Sequence, residues 1–151
     1  MPAKPIPDGY RAITPNLTVD RGLDALAYYE RAFGAQVVRK LVLDGKVMHA
    51  ELRIGDSLIT VAEPFPGSVA PDPEQPVSAS VLLYTEDVDA VYARAVQEGA
   101  TPVNEPADQF HGDRAGSLRD PFGHRWMLAT HTEDMSEAEM QRRMEEAMSA
   151  T

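Results

Sequence analysis

The 151-residue chain contains no cysteine. Disulfides, thiolate nucleophiles, iron–sulfur clusters and cysteine-type zinc sites are therefore excluded, and the redox compartment is left open. Basic residues are scarce: 14 Lys and Arg stand against 24 Asp and Glu, a formal net charge of −10. A general nucleic-acid binder needs a basic surface to displace phosphate counterions, and an anionic membrane makes the same demand. Neither nucleic acid nor membrane is expected as a partner. Apolar runs are strand-sized, far short of the ~20 residues of a spanning helix. Met1 to Arg11 holds Lys4 but no apolar signal core and no cleavage pattern, so a cytoplasmic location is the default expectation. There is no glycine-flanked elbow serine, phosphate loop, dinucleotide fingerprint or paired metal-histidine motif. What remains is an ordinary globular composition, 43% hydrophobic and 25% charged, which excludes disorder as the main state.

Along the chain, Val47 to Ile54 alternates. Met48, Ala50, Leu52 and Ile54 lie on one face, and His49, Glu51 and Arg53 on the other, the period of a strand with one apolar side. Asp44-Gly45 and Gly55-Asp56 are hairpin turns, so residues 36–63 read as a three-strand meander. A helix precedes it, with Leu23, Leu26, Ala27 and Phe33 at helical spacing and Gly34 as its stop. Before that helix, residues 13–19 alternate as a strand. A Pro-, Gly- and Ser-rich stretch, 64–76, reads as a linker. The pattern then restarts: a strand over 77–84, a helix over 87–98 ended by Gly99, a short strand over 101–105, and strands over 115–119 and 125–130 around the turn Asp120-Pro121-Phe122-Gly123.

Shifting the first half by 65 positions lays Asp24-Ala25 on Asp89-Ala90 and Gly34-Ala35 on Gly99-Ala100. The order of elements therefore repeats. Residues 135–148 form a third helix, opened by a capping box of Ser136 and Glu139. Its Met140, Met144 and Met148 make one stripe, read as packing on the body of the protein; a dimer contact or a lid is the alternative.

The doubled unit resembles the vicinal oxygen chelate superfamily, which includes glyoxalase I, bleomycin-resistance proteins and extradiol dioxygenases. The resemblance rests on residues 25–35 (ALAYYERAFGA), 86–90 (EDVDA) and 120–126 (DPFGHRW). Within it, Thr14-Pro15-Asn16-Leu17, residues 48–52 with Gly55-Asp56-Ser57, and residues 110–114 (FHGDR) resemble the PhnB-like branch. The implied fold is α+β: two tandem βαβββ modules, each sheet curled around a cavity, plus a C-terminal helix. The chain is expected to be one domain with a first module at 6–63, the linker, and a second module at 77–131. A homodimer is expected because members often pair to complete their cavities.

The resemblance also implies a metal held by His, Gln or Glu on four strands. Carried across one at a time, those positions fall on Thr14, Thr60, Ser80 and Met127. Hydroxyls are weak ligands and a thioether suits soft ions only. No metal ligand is assigned and no cofactor is expected; a divalent metal remains possible only in a divergent site.

Three functions follow. The favoured one is metal-independent binding of a small organic molecule, with Thr14, Asn16, Thr60, Ser80, Phe110, Arg114 and Met127 as ligand-binding residues beside His49 and Glu51. His111 and Asp113, next to Phe110 and Arg114, supply an aromatic and charged cluster; the structural alternative has Arg114 pairing with Asp113 or Asp120. The second is a glyoxalase-, isomerase- or lyase-type enzyme in which His49 or Glu51 moves a proton. The third is an interaction module docking through its acidic surface and tail helix.

Overall fold

The computed structural model describes residues 1–151. The first module comprises β1 (Asn16–Thr18), α1 (Gly22–Phe33), β2 (Gln36–Leu43), β3 (Lys46–Ile54) and β4 (Ser57–Ala62). The second comprises β5 (Ser80–Tyr84), α2 (Val88–Gln97), β6 (Thr101–Asp108), β7 (Asp113–Arg119) and β8 (Arg125–His131), and α3 (Glu137–Ser149) follows. Each module is a four-stranded mixed sheet, in the orders β1-β4-β3-β2 and β5-β8-β7-β6. The first strand of each pairs parallel with the last, and the other pairings are antiparallel. This is the expected α+β repeat.

The helices cover the apolar faces of the sheets. In α1 the buried side chains are Ala25, Leu26, Tyr28, Tyr29, Ala32 and Phe33, at the 3–4 residue spacing of one helix face. Leu23 lies outside that face and is exposed. Gly34 ends the helix in the left-handed region, φ 67°, where its N–H reaches Glu30 O and the N–H of Ala35 reaches Tyr29 O. In α2 the Asp87 carboxylate caps the start by accepting the Ala90 N–H at 3.1 Å.

The two modules share one core. Tyr28 donates its hydroxyl to Ala95 O at 3.0 Å, Arg94 donates to Ala32 O at 3.1 Å, and the rings of Phe33 and Trp126 lie 4.5 Å apart. His124, in the last hairpin turn, hydrogen-bonds Thr18 O at 2.8 Å. Each module alone is too small to bury much surface, so this seam is where the chain gains a common interior.

Three expectations are corrected. On β3 the buried residue beside Ala50, Leu52 and Ile54 is Val47, not Met48. The register slips between Leu41–His49 and Val42–Val47, which leaves Met48 in a bulge. Only Asn16–Thr18 of the expected first strand pairs, and Ile13 is exposed. The tail helix packs only loosely: α3 has no fully buried residue, Met140 and Met144 are half-buried, and Met148 is 69% exposed. Its cap forms as expected, Ser136 Oγ accepting the Glu139 N–H at 3.2 Å. No helix is long and apolar enough to cross a membrane.

Candidate functional site

Each sheet has a second face turned away from its helix, and the sequence-selected residues divide between the two. On the first module, cross-strand pairing aligns Arg39, Glu51, Thr60 and Asn16 in one row. The Thr60 hydroxyl donates to Asn16 Oδ1 at 2.9 Å, His49 Nε2 lies 3.2 Å from Glu51 Oε1, and Arg39 Nε lies 3.6 Å from Glu51 Oε2. Burial pushes the Glu51 carboxyl up, but hydrogen bonds from His49 and Tyr10 and the charge of Arg39 outweigh it and hold it below 4.5. Tyr10 belongs to the N-terminal segment, which lies over this face; a side chain on Gly9 would touch Leu58. Thr14 is in the same segment, its hydroxyl 3.4 Å from Arg11 O.

On the second module the corresponding face is an open cavity of about 770 Å³, a volume within the range of small-molecule sites. Strand period two explains its floor. Arg125, Met127 and Ala129 on β8 and Asp113, Ala115 and Ser117 on β7 face it, while Trp126, Leu128 and Leu118 face the core. The depth comes from small side chains: Ala115, Ser117, Ala129 and, on β6, Ala107. Leu82, Val103 and Met127 supply apolar wall, and Asn104 Nδ2 donates to Ser117 Oγ at 2.9 Å in its middle.

One end is a proton-bearing cluster centred on Asp113, a buried carboxylate. Tyr84 donates its hydroxyl to Asp113 Oδ2 at 2.7 Å, His131 Nδ1 lies 2.7 Å from Oδ1, and His111 Nδ1 stands 3.7 Å from Oδ2. The other nitrogen of His131 lies 2.7 Å from Asp134 Oδ1. With a carboxylate on each ring nitrogen both must donate, so the imidazolium is favoured and its pKa is raised above 6.5. Burial pushes the Asp113 carboxyl up, but the bonds from His131 and Tyr84 and the charges of both histidines hold it below 3.8.

Of the residues selected from sequence, His111, Asp113 and Met127 line this cavity. His49, Glu51, Asn16 and Thr60 lie together on the other module. Ser80, at the start of β5, and Phe110, between β6 and β7, are not among the lining residues, although Gln109 and His111 beside Phe110 are. Arg114 grips Asp89 of α2 through Nε at 2.8 Å and Nη2 at 2.9 Å, and reaches Asp108 at 3.4 Å. Its expected partners Asp113 and Asp120 are not the ones it takes; alternation along β7 turns it away from the cavity. Tyr84, Asn104 and Ser117 carry no motif in the sequence, and Arg125 lies within the 120–126 turn motif, which marks the hairpin and not a binding role. The available signal was the period-two face shared by Asp113, Ala115 and Ser117.

The donor set does not fit the family's metal. The four carried-over positions hold hydroxyls and a thioether, and no three His, Asp or Glu side chains converge as an ion-holding group.

Comparison with known proteins identifies the family and the fold. The family model described as the Glyoxalase/Bleomycin resistance protein/Dioxygenase superfamily matches residues 13–128. The chain belongs to that superfamily. An uncharacterized protein of Mycobacterium tuberculosis is 35% identical over 139 residues, covering 88% of this chain and 82% of its own. The crystal structure of an Arabidopsis thaliana gene product, At5g48480, is 29% identical with a TM-score of 0.62, covering 80% of this chain and 98% of that one. TioX from Micromonospora sp. ML1 shares the fold, with a TM-score of 0.66 at 24% identity over 80% of this chain and 98% of that one.

Proposed function

We propose that the protein binds a small organic molecule in the cavity of its second module, without the metal that other superfamily members hold. The observation that carries this reading is the cavity itself: about 770 Å³, floored by small side chains, walled by Leu82, Val103 and Met127, and furnished with a few polar groups. Leu82 and Tyr84 on this face, and Leu41 across from His49 on the other module, are exposed apolar surface that a second copy would cover, which supports a homodimer. The PhnB-like motifs at residues 14–17 and 110–114 support assignment to that branch.

The test uses the neutral fluorophore N-phenyl-1-naphthylamine on wild type and on Ser117→Trp, whose indole fills the floor. Binding by wild type and its loss in the folded variant support the reading; equal binding by both sinks it. Elemental mass spectrometry of protein purified without chelators should find no stoichiometric Ni, Zn, Mn or Fe; near one ion per subunit would overturn the metal-free part.

A second reading, proton transfer, is favoured by one observation: His111 lines the cavity beside the fixed carboxylate of Asp113. It displaces the His49–Glu51 pair as the site where such chemistry would occur. Turnover of a superfamily substrate that survives His111→Gln unchanged would remove it.

A further inference from the structure

Arg125 is the first residue of β8 and lines the second-module cavity at the end away from Asp113. Arg53 on the first module also makes no side-chain bond, but its polar atoms are not among those buried without a partner, and the remaining arginines on the sheet faces are committed. Arg39 is 3.6 Å from Glu51, and Arg114 is held by Asp89 and Asp108. Arg119, its cross-strand partner, donates to Gly123 O at 2.8 Å, Gln75 O at 3.0 Å and Asp72 O at 3.3 Å, tying the linker to the hairpin. Arg125 has no such commitment, and its Nε is the one buried side-chain nitrogen or oxygen in the protein without a hydrogen-bond partner.

A buried donor left unpaired costs about 1–3 kcal/mol, more when it is charged. Folds retain such groups where a ligand or ordered water completes them. Here the unpaired group is a guanidinium, which is charged at all physiological pH values and donates in a rigid planar fork suited to a carboxylate. The neighbouring Arg119 is bonded only to uncharged carbonyls and makes no ion pair. The next positions along the cavity are apolar or uncharged, Met127 and Leu82 and then the Asn104–Ser117 pair; the first carboxylate on the wall, Glu105 of the β6 bulge, is exposed and lies beyond that pair, on the Asp113 side. Arg125 and the Asp113 cluster lie at opposite ends, since Arg119, beside Arg125, is six residues from Asp113, about 20 Å at ~3.3 Å per residue.

We infer that the cavity takes an amphipathic organic oxyanion, its carboxylate or equivalent group held by the Arg125 guanidinium and its apolar body laid over Met127, Leu82 and Val103. This rests on the reading of the cavity as a small-molecule site and adds the chemical class of the ligand. The polarity also sets the orientation: the anion enters toward the start of β8, and the opposite end of a long ligand approaches Tyr84 and His111, away from the Asp113 carboxylate that would repel a negative group.

The experiment compares two naphthalene fluorophores of similar body, 8-anilinonaphthalene-1-sulfonate, which carries an anion, and neutral N-phenyl-1-naphthylamine. They are titrated into wild type, Arg125→Gln, Arg125→Lys, Ser117→Trp and the remote control Arg11→Gln, each checked for a cooperative melt. The expected result is that Arg125→Gln weakens the sulfonate probe about tenfold or more, the scale of a charge-assisted hydrogen bond lost, while the neutral probe changes less than about twofold. Arg125→Lys should fall between, and Arg11→Gln should match wild type. Displacement by 2-naphthoate should far exceed displacement by acetate or inorganic phosphate. If Arg125→Gln leaves the sulfonate probe unchanged while Ser117→Trp abolishes both probes, the cavity stands and the anion anchor is overturned. Displacement by phosphate as effective as by 2-naphthoate overturns the amphipathic ligand in favour of a plain anion. If neither probe binds wild type, or Ser117→Trp alters neither, the cavity reading falls and this inference with it.

Discussion

Tyr29 on α1 donates its hydroxyl to Asp120 in the last turn of the second module at 2.6 Å. The same carboxylate accepts the Trp126 indole N–H at 2.9 Å and the backbone N–H groups of Phe122 at 2.9 Å and His124 at 3.0 Å. One buried anion thus closes the hairpin that begins β8 and ties it to the other module. Burial, and then the Asp120 charge and hydrogen bond, push the Tyr29 hydroxyl well above its ordinary pKa, so it remains a donor. Tyr29→Phe removes one bond to a charged group and should cost about 1.5–3 kcal/mol in urea unfolding. Asp120→Ala strands three donors and the Tyr29 hydroxyl and should cost more. A Tyr29→Phe loss below 0.5 kcal/mol, on the same order-of-magnitude scale of about 1 kcal/mol per bond, would show that the carboxylate is satisfied without the seam.

The Asp113–His131 pair makes the Asp113 end of the cavity pH-sensitive. The folded pKa of His131 is raised above 6.5, so its contribution is complete below that value and is lost as pH rises through the raised one. The folded pKa of Asp113 is lowered below 3.8, so its contribution is present above 3.8 and lost as pH falls through the lowered one. The pair is fully formed only between these limits. Proton NMR titration should give His131 a midpoint above 6.5, and Asp113→Asn should move it downward. A midpoint unmoved by Asp113→Asn would mean that Asp134, at 2.7 Å from the other nitrogen, carries the shift alone.

The repeat and its elements were legible because they rest on period and punctuation. Gly34 and Gly99 mark both helix exits, Asp87 caps α2, and the alternation of Ala50, Leu52 and Ile54 identifies a one-sided strand. Met48 was misplaced because a bulge is set by cross-strand register, which a single strand's pattern does not contain. The cavity was less legible. His49 and Glu51 stand out as a polar pair two residues apart, yet Glu51 is already engaged by Tyr10 from the N-terminal segment, far away in the sequence, while His49 stays part-exposed at its side. Arg125 looks like an ordinary strand-end arginine; that it lacks a partner is visible only once every neighbour is placed.

The tail helix shows the limit of a stripe. Met140, Met144 and Met148 share a helix face, but α3 buries no side chain fully, and its polar links are surface pairs such as Arg143–Glu133 at 2.9 Å. Such pairs are worth about 0.2–1 kcal/mol. A chain ending at Met135 should therefore unfold within about 1 kcal/mol of the full chain at dilute concentration. A loss of several kcal/mol would make α3 part of the core after all. A change confined to the sedimentation-derived mass would assign the Met stripe to an interface between copies.

Two glycines separate two physical requirements. At Gly34 nothing lies within 4 Å of an added Cβ, but φ is 67°; Gly34→Ala should cost about 1–2 kcal/mol from the left-handed backbone alone. Asn tolerates that region, so Gly34→Asn should cost less than Gly34→Ala. Gly116 has no positive φ, yet an added Cβ would stand 2.9 Å from Asn104 O and Pro106 N and 3.2 Å from Glu105 C, all backbone of the β6 bulge. Gly116→Ala should therefore cost about 1–3 kcal/mol by overpacking, and Gly116→Asn more, the reverse of the order at Gly34. Because that bulge carries Asn104 and Glu105 into the cavity wall, Gly116→Ala should also weaken N-phenyl-1-naphthylamine binding, whereas Gly34→Ala should leave it unchanged. Denaturant melts and probe titrations on the four variants decide both points; the same rank order at both glycines would mean that the bulge yields and the wall is not fixed by Gly116.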